Sequence, residues 1–535
     1  MADEVVDYLV AHGPRLSGDV AGAIVETMGI SPHAARKRIE RLLRSESIRT
    51  VNLTFPRRAQ FLYVPAQYGS PRFWRNLATA LEESKGAYAR AIWALRARGG
   101  VIPLTHFDSA AGASSGSRQL SGESVCERLV SVGLFQEIDV PGLGPCVAFA
   151  KGNSFIDDLV PEVRARLVAE TVLLQSVQEW AAKLGLGSFH TFKLRRDEPG
   201  VTPTVGSFEW DLSAPSFVGP LATWSETGKP KPGFLVVDVL LKDKVDVEDV
   251  RPFVYKCTSL RQQRGVGRCL QFFVAHRYTK QALNTIRREG IVPATPESLF
   301  GTEVARALME LASTLTHAAT QCVEPEKFAR LFERLGKAEG AAGTLRGALF
   351  EFVVADLIRH TVANADITMN KIYRSHGKDA AEVDVRFATK DQHICFIECK
   401  GLLPGRVLSD KDVDDWLTRR IPIVRAHTLD NHEWRNHKLK FEMWLTGELS
   451  PEAKVKIEAA RAEVSSRRYT IEVRYAQDIE QLAAPFPALH KVVTQHFLKH
   501  PLSSPVDVIN PLSKRQHPRA LAVFDSLSPE VVDEL

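Results

Sequence analysis

Two apolar runs constrain the fold most, because their few charged residues fall where paired strands would bring them together. Ala381-Glu382-Val383-Asp384-Val385-Arg386-Phe387 alternates apolar with polar residues, the period of a half-buried strand. His393-Ile394-Cys395-Phe396-Ile397 is a short apolar run that reads as a second strand and leads into Glu398-Cys399-Lys400-Gly401. Side chains two apart on a strand share a face, so Glu398 and Lys400 point the same way. Asp384 and Glu398 then form an oxygen-lined pocket suited to a hard divalent cation. The Lys400 ammonium beside it can stabilise phosphate charge or orient a water. That equipment suits hydrolysis of a phosphodiester. Glu382 and Asp379 compete with Asp384 for the ligand role, since alternation places Glu382 on the same face; Asp384 is preferred as the residue nearer the strand centre.

A mostly apolar helix with one glutamate precedes these strands. Gly343-Thr344-Leu345-Arg346-Gly347-Ala348-Leu349-Phe350-Glu351-Phe352-Val353-Val354 carries Glu351 in an apolar setting. Helix glutamate, strand aspartate, Glu398-x-Lys400 and a following amphipathic helix, in that order, resemble the PD-(D/E)XK nuclease superfamily, the restriction-endonuclease-like fold, over roughly residues 340–485. The proline often found before that family's aspartate is replaced here by Val383. The resemblance implies one or two Mg2+ (or Mn2+) ions held by Asp384, Glu398 and the Ile397 or Cys399 carbonyl, with Glu351 bound directly or through water. Catalytic residues would be Glu351, Asp384, Glu398 and Lys400, the lysine orienting the nucleophile. Lys371 and Arg374, upstream, are placed to bind a neighbouring phosphate. Arg419 and Arg420 either do the same or lie on a solvated helix face.

A weaker copy of this plan is expected over residues 155–310. Val163 to Leu184 is a long amphipathic helix containing Glu170, Ser207 to Leu212 supplies a strand with Asp211, and Gly233 to Leu240 is an apolar strand with Asp238 where Glu398 lies in the other copy. The counterpart of Lys400 is Leu240, which predicts a degenerate domain without the ammonium. Lys242 or Lys244 remain alternatives for that charge, and Arg261, Arg264 and Arg268 suggest a loop that contacts phosphate.

The N-terminal residues predict a small basic unit. Helices are expected over Glu4–His12, Ser17–Met28 and Ser31–Arg44, the last with Ser31 as N-cap and Pro32 in the first turn. Ile48 to Leu53 and Ala59 to Val64 would form a hairpin tipped by Pro56-Arg57-Arg58. The sequence resembles a winged helix-turn-helix over residues 1–68, which implies nucleic-acid contacts from Arg36, Lys37, Arg38, Arg41, Arg57 and Arg58; a winged helix used only for protein contacts is the alternative. Residues 69–152 repeat the plan with fewer basic residues, helices at Pro71–Ser84, Ala87–Arg98 and Ser121–Val132, and a Gly/Ser-rich loop within Leu104–Leu120. The expected whole is thus a multidomain α/β and α+β chain: winged helices at 1–68 and 69–152, restriction-endonuclease-like α/β domains at 155–310 (degenerate) and 325–498, and an arm at 499–535.

Bulk properties narrow the setting. The 535 residues carry a net charge of only +5, so any nucleic-acid footprint must be local. Seven cysteines without CxxC pairs argue against a zinc site or disulfide frame and for a reducing, cytoplasmic location. His427, His432 and His437 lack helical ligand spacing and read as a basic, aromatic loop that touches nucleic acid. No apolar run is long enough for a membrane span, and the acidic start is unlike a signal peptide. Three functions follow: a metal-dependent endonuclease on duplex DNA, in restriction, phage defence, mobile-element processing or repair; a regulatory DNA-binding protein whose nuclease-like units are structural; or an RNA- or tRNA-directed nuclease. A homodimer or partners from the same gene cluster are compatible with each.

Overall fold

The computed structural model describes residues 3–498 apart from 117–119, 141–142, 151–155, 188, 196–201, 225–228, 264, 319–329, 332–333, 336–341, 375–379, 390–391, 433 and 465–468. Asp379, Arg264 and the 499–535 arm lie outside the described residues. The chain is a mixed α/β protein with several sheets. Among the described residues no helix is long and apolar enough to cross a membrane.

Helices α1 (Glu4–His12), α2 (Ser17–Met28) and α3 (Pro32–Arg44) begin the chain. Their ends follow local chemistry: Asp3 accepts from the Val5 amide, Ser31 from the Ala34 amide, and Gly29 closes α2 at φ 62°. Val5, Leu9, Val20, Ile24, Ala35 and Ile39 interlock beneath them. Strands β1 (Arg15–Leu16), β2 (Arg49–Thr50) and β3 (Phe61–Tyr63) form an antiparallel sheet in the order β1-β3-β2. The β2–β3 ladder is shorter than the hairpin expected from sequence. Its tip is a tight turn, Pro56–Arg58, in which Arg57 and Arg58 take left-handed φ values of 57° and 58°.

The next unit comprises α4 (Pro71–Glu83), α5 (Ala87–Ala97), β4 (Val101–Pro103), α6 (Leu104–Ala111), α7 (Gly122–Ser131), β5 (Phe135–Val140) and β6 (Gly144–Phe149), its sheet ordered β4-β6-β5. Helix α6 takes up the first part of the stretch expected to hold a loop. Phe107, Ala110 and Ala111 are buried along it, and burial decides the conformation.

Two five-stranded sheets follow the same course. The first contains β7 (Lys193–Leu194), β8 (Leu212–Ser216), β9 (Gly233–Leu240), β10 (Cys269–Ala275) and β11 (Val292–Ala294) in that spatial order. The second contains β12 (Asp366–Arg374), β13 (Ala380–Thr389), β14 (His393–Lys400), β15 (Lys438–Leu445) and β16 (Tyr469–Arg474). In each, the first two pairings are antiparallel and the last two parallel. Parallel neighbours need crossovers. These are α9 (Val247–Arg261) and α10 (Lys280–Arg288) in the first sheet. In the second they are a helical run over Asp410–Asp430 (α11) and Pro451–Glu463 (α12). A long helix precedes each sheet: Ile156–Lys183 (α8, or αA) and Ala342–Thr361 (αB). The strand expected over Ser207–Leu212 is interrupted. Phe208–Glu209 pairs with Thr204–Val205 in a separate ladder, and β8 starts after Asp211, the break marked by Trp210 buried against Phe253.

Helices αA and αB share one apolar cluster that reaches both sheets. It joins Val172, Leu173 and Val177 of αA to Val353 and Leu357 of αB, with Leu235 and Val237 of β9 on one side and Val385 and Ile397 on the other.

Candidate active site

The strand register brings the carboxylates together. Val385 faces Ile397 across β13 and β14, so one step on Asp384 faces Glu398. Cys399 donates its amide to Asp384 Oδ2 at 2.6 Å, fixing the aspartate at the strand end. Gly401 lets αB approach: a Cβ there would meet the Arg346 carbonyl and Phe350 Cβ, both at 2.6 Å. Glu351, on that helix, is thereby held beside the two strands.

The side chains around Asp384 depart from strict alternation. Val383 packs with Val413 and Trp416, whereas Val385 packs with Phe350 and Val353 in the other core. Two residues of the same parity on opposite faces require a local irregularity. The partner strand carries it too: Met369 pairs with Val385 and Lys371 with Val383, which places Asn370, at φ 52°, opposite Asp384. Glu382 and Asp384, expected on one face, therefore have different partners. The Glu382 carboxylate pairs with Arg164 of αA, while Asp384 turns to Glu398 and the Cys399 amide.

The charges are crowded and unevenly compensated. Burial and then the neighbouring Glu398 carboxylate push Asp384 up to about 7. Glu351 is raised well above the usual carboxylate range, by burial first and then by Asp384. Burial works against the Lys400 ammonium, but Glu398 and Asp384 outweigh it and hold its pKa above the ordinary lysine value. Both Glu398 oxygens accept from Arg420 Nη1 at 2.8 Å, and Lys400 Nζ lies 2.9 Å from Oε1. Arg420 Nε is tied to Asp415 Oδ2 at 2.9 Å. A cavity of about 380 Å³ opens beside this group, lined by Arg164, Glu351, Asn370 and Glu382 among others.

The donor set is made of oxygens, the kind that holds Mg2+ or Mn2+. Two of the expected ligands, Glu351 and Asp384, have pKa values raised first by burial and then by a neighbouring carboxylate, Asp384 for the first and Glu398 for the second, which a cation would relieve. The donors therefore fit in kind. As they stand, no three His, Cys, Asp or Glu side chains among the described residues converge closely enough to hold an ion, and the cations on Glu398 are Arg420 and Lys400.

The first sheet repeats the stations with other occupants. Leu212 faces Val237, so Asp211 faces Asp238, and the Val239 amide donates to Asp211 Oδ2 at 2.9 Å as Cys399 does to Asp384. Glu170 stands on αA as Glu351 does on αB. Arg195 bridges Asp211 and Glu170, each at 2.8 Å, and Lys256 Nζ lies 2.5 Å from Asp238 Oδ2. Ser109 of α6 adds a hydrogen bond to Asp211 at 3.0 Å. Glu170 and Lys256 are 0 % exposed and Asp211 1 %, so this network is closed to solvent. Lys242 does not reach it; that ammonium pairs with Asp249 at 2.6 Å. Arg261 donates to Gln271 and Arg268 to the Pro220 carbonyl, and both residues stay exposed.

The basic residues of the N-terminal unit divide. Arg36, Lys37 and Arg41 on α3 and Arg57 and Arg58 at the turn are exposed. Arg38 is engaged: Nε lies 2.9 Å from Asp3, its Nη2 pairs with Glu4, and it clamps α3 to α1. Lys371 lies 5.3 Å over the Trp434 ring, with burial and then Arg386 lowering its pKa. The Arg374 carbonyl accepts from His427 Nδ1 at 2.8 Å. His427 thus serves that strand end.

Sequence reasoning missed Arg164, Arg195 and Lys256, and missed what Arg420 contacts. Two left signals. Arg420 falls four residues after Trp416, a spacing that shares a helix face with a buried aromatic, and Lys256 lies between apolar residues of α9. Arg164 left none, because its partner Glu382 is remote in sequence. No protein-family model matches the chain, and no curated protein matches it.

Proposed function

We propose that the chain is a metal-dependent nuclease of the PD-(D/E)XK kind that acts on duplex DNA, with residues 325–498 supplying the site. The observation that carries this reading is the opposition of Asp384 and Glu398 at the strand ends, with Lys400 2.9 Å from Glu398 and Glu351 brought against them by αB. The like topology of the two sheets supports reading residues 155–310 as a related domain whose ionic network has replaced chemistry with structure. The helices with antiparallel hairpins, three in the first unit and four in the second, support winged helices at 1–68 and 69–152, the first presenting Arg36, Lys37, Arg41, Arg57 and Arg58 to phosphates.

Asp384, Glu398 and Glu351 would hold Mg2+ or Mn2+, which when bound polarises the scissile phosphate and lowers the pKa of its water. Lys400 places a positive charge against Glu398, where it can steady the attacking water or the developing phosphate charge. Arg164 brings a second cation from αA to the cavity wall. One observation favours the rival, non-catalytic reading: Arg420 occupies both Glu398 oxygens.

Cleavage of plasmid DNA and of structured RNA in Mg2+ or Mn2+, by the full chain and by Lys400→Ala and Asp384→Ala, tests the proposal. Plasmid cleavage that drops by about 100-fold or more in each variant is expected. Absence of cleavage in the wild type, or equal cleavage in all three, would sink it. Cleavage of RNA alone would transfer the site to RNA.

A further inference from the structure

In both sheets a crossover helix delivers a cation to the carboxylate of the central strand. Lys256 reaches Asp238 at 2.5 Å from α9, and Arg420 reaches Glu398 at 2.8 Å from α11. Their surroundings differ. Lys256 is fully buried, 4.4 Å from the centre of the Trp210 ring. Arg420 keeps 21 % of its side-chain surface, and its other anchor, Asp415, keeps 32 %. Arg420 also ends a π-helical turn, Trp416–Arg420, set between the α-helical pieces Asp410–Asp415 and Ile421–Asp430. Such a turn holds one residue more than the α frame, so its return to α geometry would swing residue 420 by about 100° around the helix.

We infer that Arg420 is a substrate-binding residue held in reserve on Glu398. A nucleic-acid phosphate draws the guanidinium away, and the exchange frees both Glu398 oxygens for a divalent cation. The guanidinium fork matches phosphate as well as carboxylate, so the exchange replaces one charge-assisted pair with another. Without it, Glu398 would lose its Arg420 partner while still buried, which is costly. Nucleic acid and divalent cation therefore bind as a linked pair, each raising the other's affinity. This inference rests on the nuclease reading of the same site.

The test is Mn2+ uptake by the full chain, read from the electron paramagnetic resonance of free Mn2+, with and without a DNA duplex carrying phosphorothioate linkages. In the wild type the duplex should tighten Mn2+ binding by about tenfold. Arg420→Gln should bind Mn2+ without duplex as tightly as the wild type does with it, and should gain nothing more from the duplex. Arg420→Lys should keep part of the dependence, and circular dichroism melting checks that both variants fold. Equal Mn2+ affinity in folded Arg420→Gln and wild type, or a wild-type affinity indifferent to duplex, overturns the inference. If Arg420→Gln does not fold, the wild-type dependence on duplex decides. A wild type that cleaves while its Mn2+ affinity ignores the duplex removes the inference and leaves the nuclease reading. A wild type that neither takes up Mn2+ nor cleaves removes both.

Discussion

Asp384 has its properties from its neighbours. Its carboxyl is raised to about 7 by burial and Glu398, against an ordinary value of 3.8. The folded chain therefore binds more protons here than the unfolded one. The stabilisation is full below the ordinary value and is lost as pH rises through about 7. Asp384→Asn removes that loss while keeping a side-chain oxygen for the Cys399 amide. In the absence of divalent metal, its melting temperature should gain on the wild type by several degrees between pH 5 and pH 8. A gap that stays constant across that range would contradict the assignment. At this scale Glu351, Asp384, Glu398 and Lys400 were legible, because strand and helix spacing is local. Arg164 was not, since the contact that defines it joins αA to β13 across more than two hundred residues of chain.

Among the elements, α3 separates two uses of positive charge on one helix. Arg38 spends its guanidinium on Asp3 and Glu4, whereas Arg41 is exposed. Arg38→Ala should cost stability, at most about 1 kcal/mol for so exposed a cluster, and leave duplex affinity nearly unchanged. Arg41→Glu should do the reverse: an unchanged melting temperature, weaker duplex binding, and a salt dependence shallower by about one phosphate contact. Fluorescence anisotropy over a salt series, beside thermal melts, checks both; weaker binding by Arg38→Ala at full stability would show that the clamp opens on DNA. Helices such as α3 were readable because Ser31 and Pro32 announce where they begin. The irregularity at Asn370 and Asp384 was not, because the residues alternate regularly through it. The packing of Val383 and Val385 into opposite cores, with the left-handed Asn370 on the partner strand, reveals the break.

For the molecule as a whole, two sheets of one topology have divided the roles of their ionic groups. The network of Glu170, Arg195, Asp211, Asp238 and Lys256 is enclosed, and a buried charge that loses its partner is expensive. Lys256→Met should therefore cost about 3–5 kcal/mol in urea unfolding at neutral pH. Lys400→Met, at a side chain 22 % exposed, should cost much less. Similar losses from the two would show the second site to be as structural as the first. The paired plan was visible in the sequence because Asp238 and Leu240 keep the spacing of Glu398 and Lys400. That Lys256 and Arg195 had filled the first site was hidden, because their partners lie on other elements.

The apolar cluster shared by αA and αB has an evolutionary consequence. On the proposed reading, a half without chemistry of its own would ordinarily be free to drift or to be deleted. Here its long helix is the floor of the neighbouring half's core and also carries Arg164 to the neighbouring site. Selection for the one site thus reaches through αA into the half that does not contain it, and a deletion of that half removes a wall from the half that does.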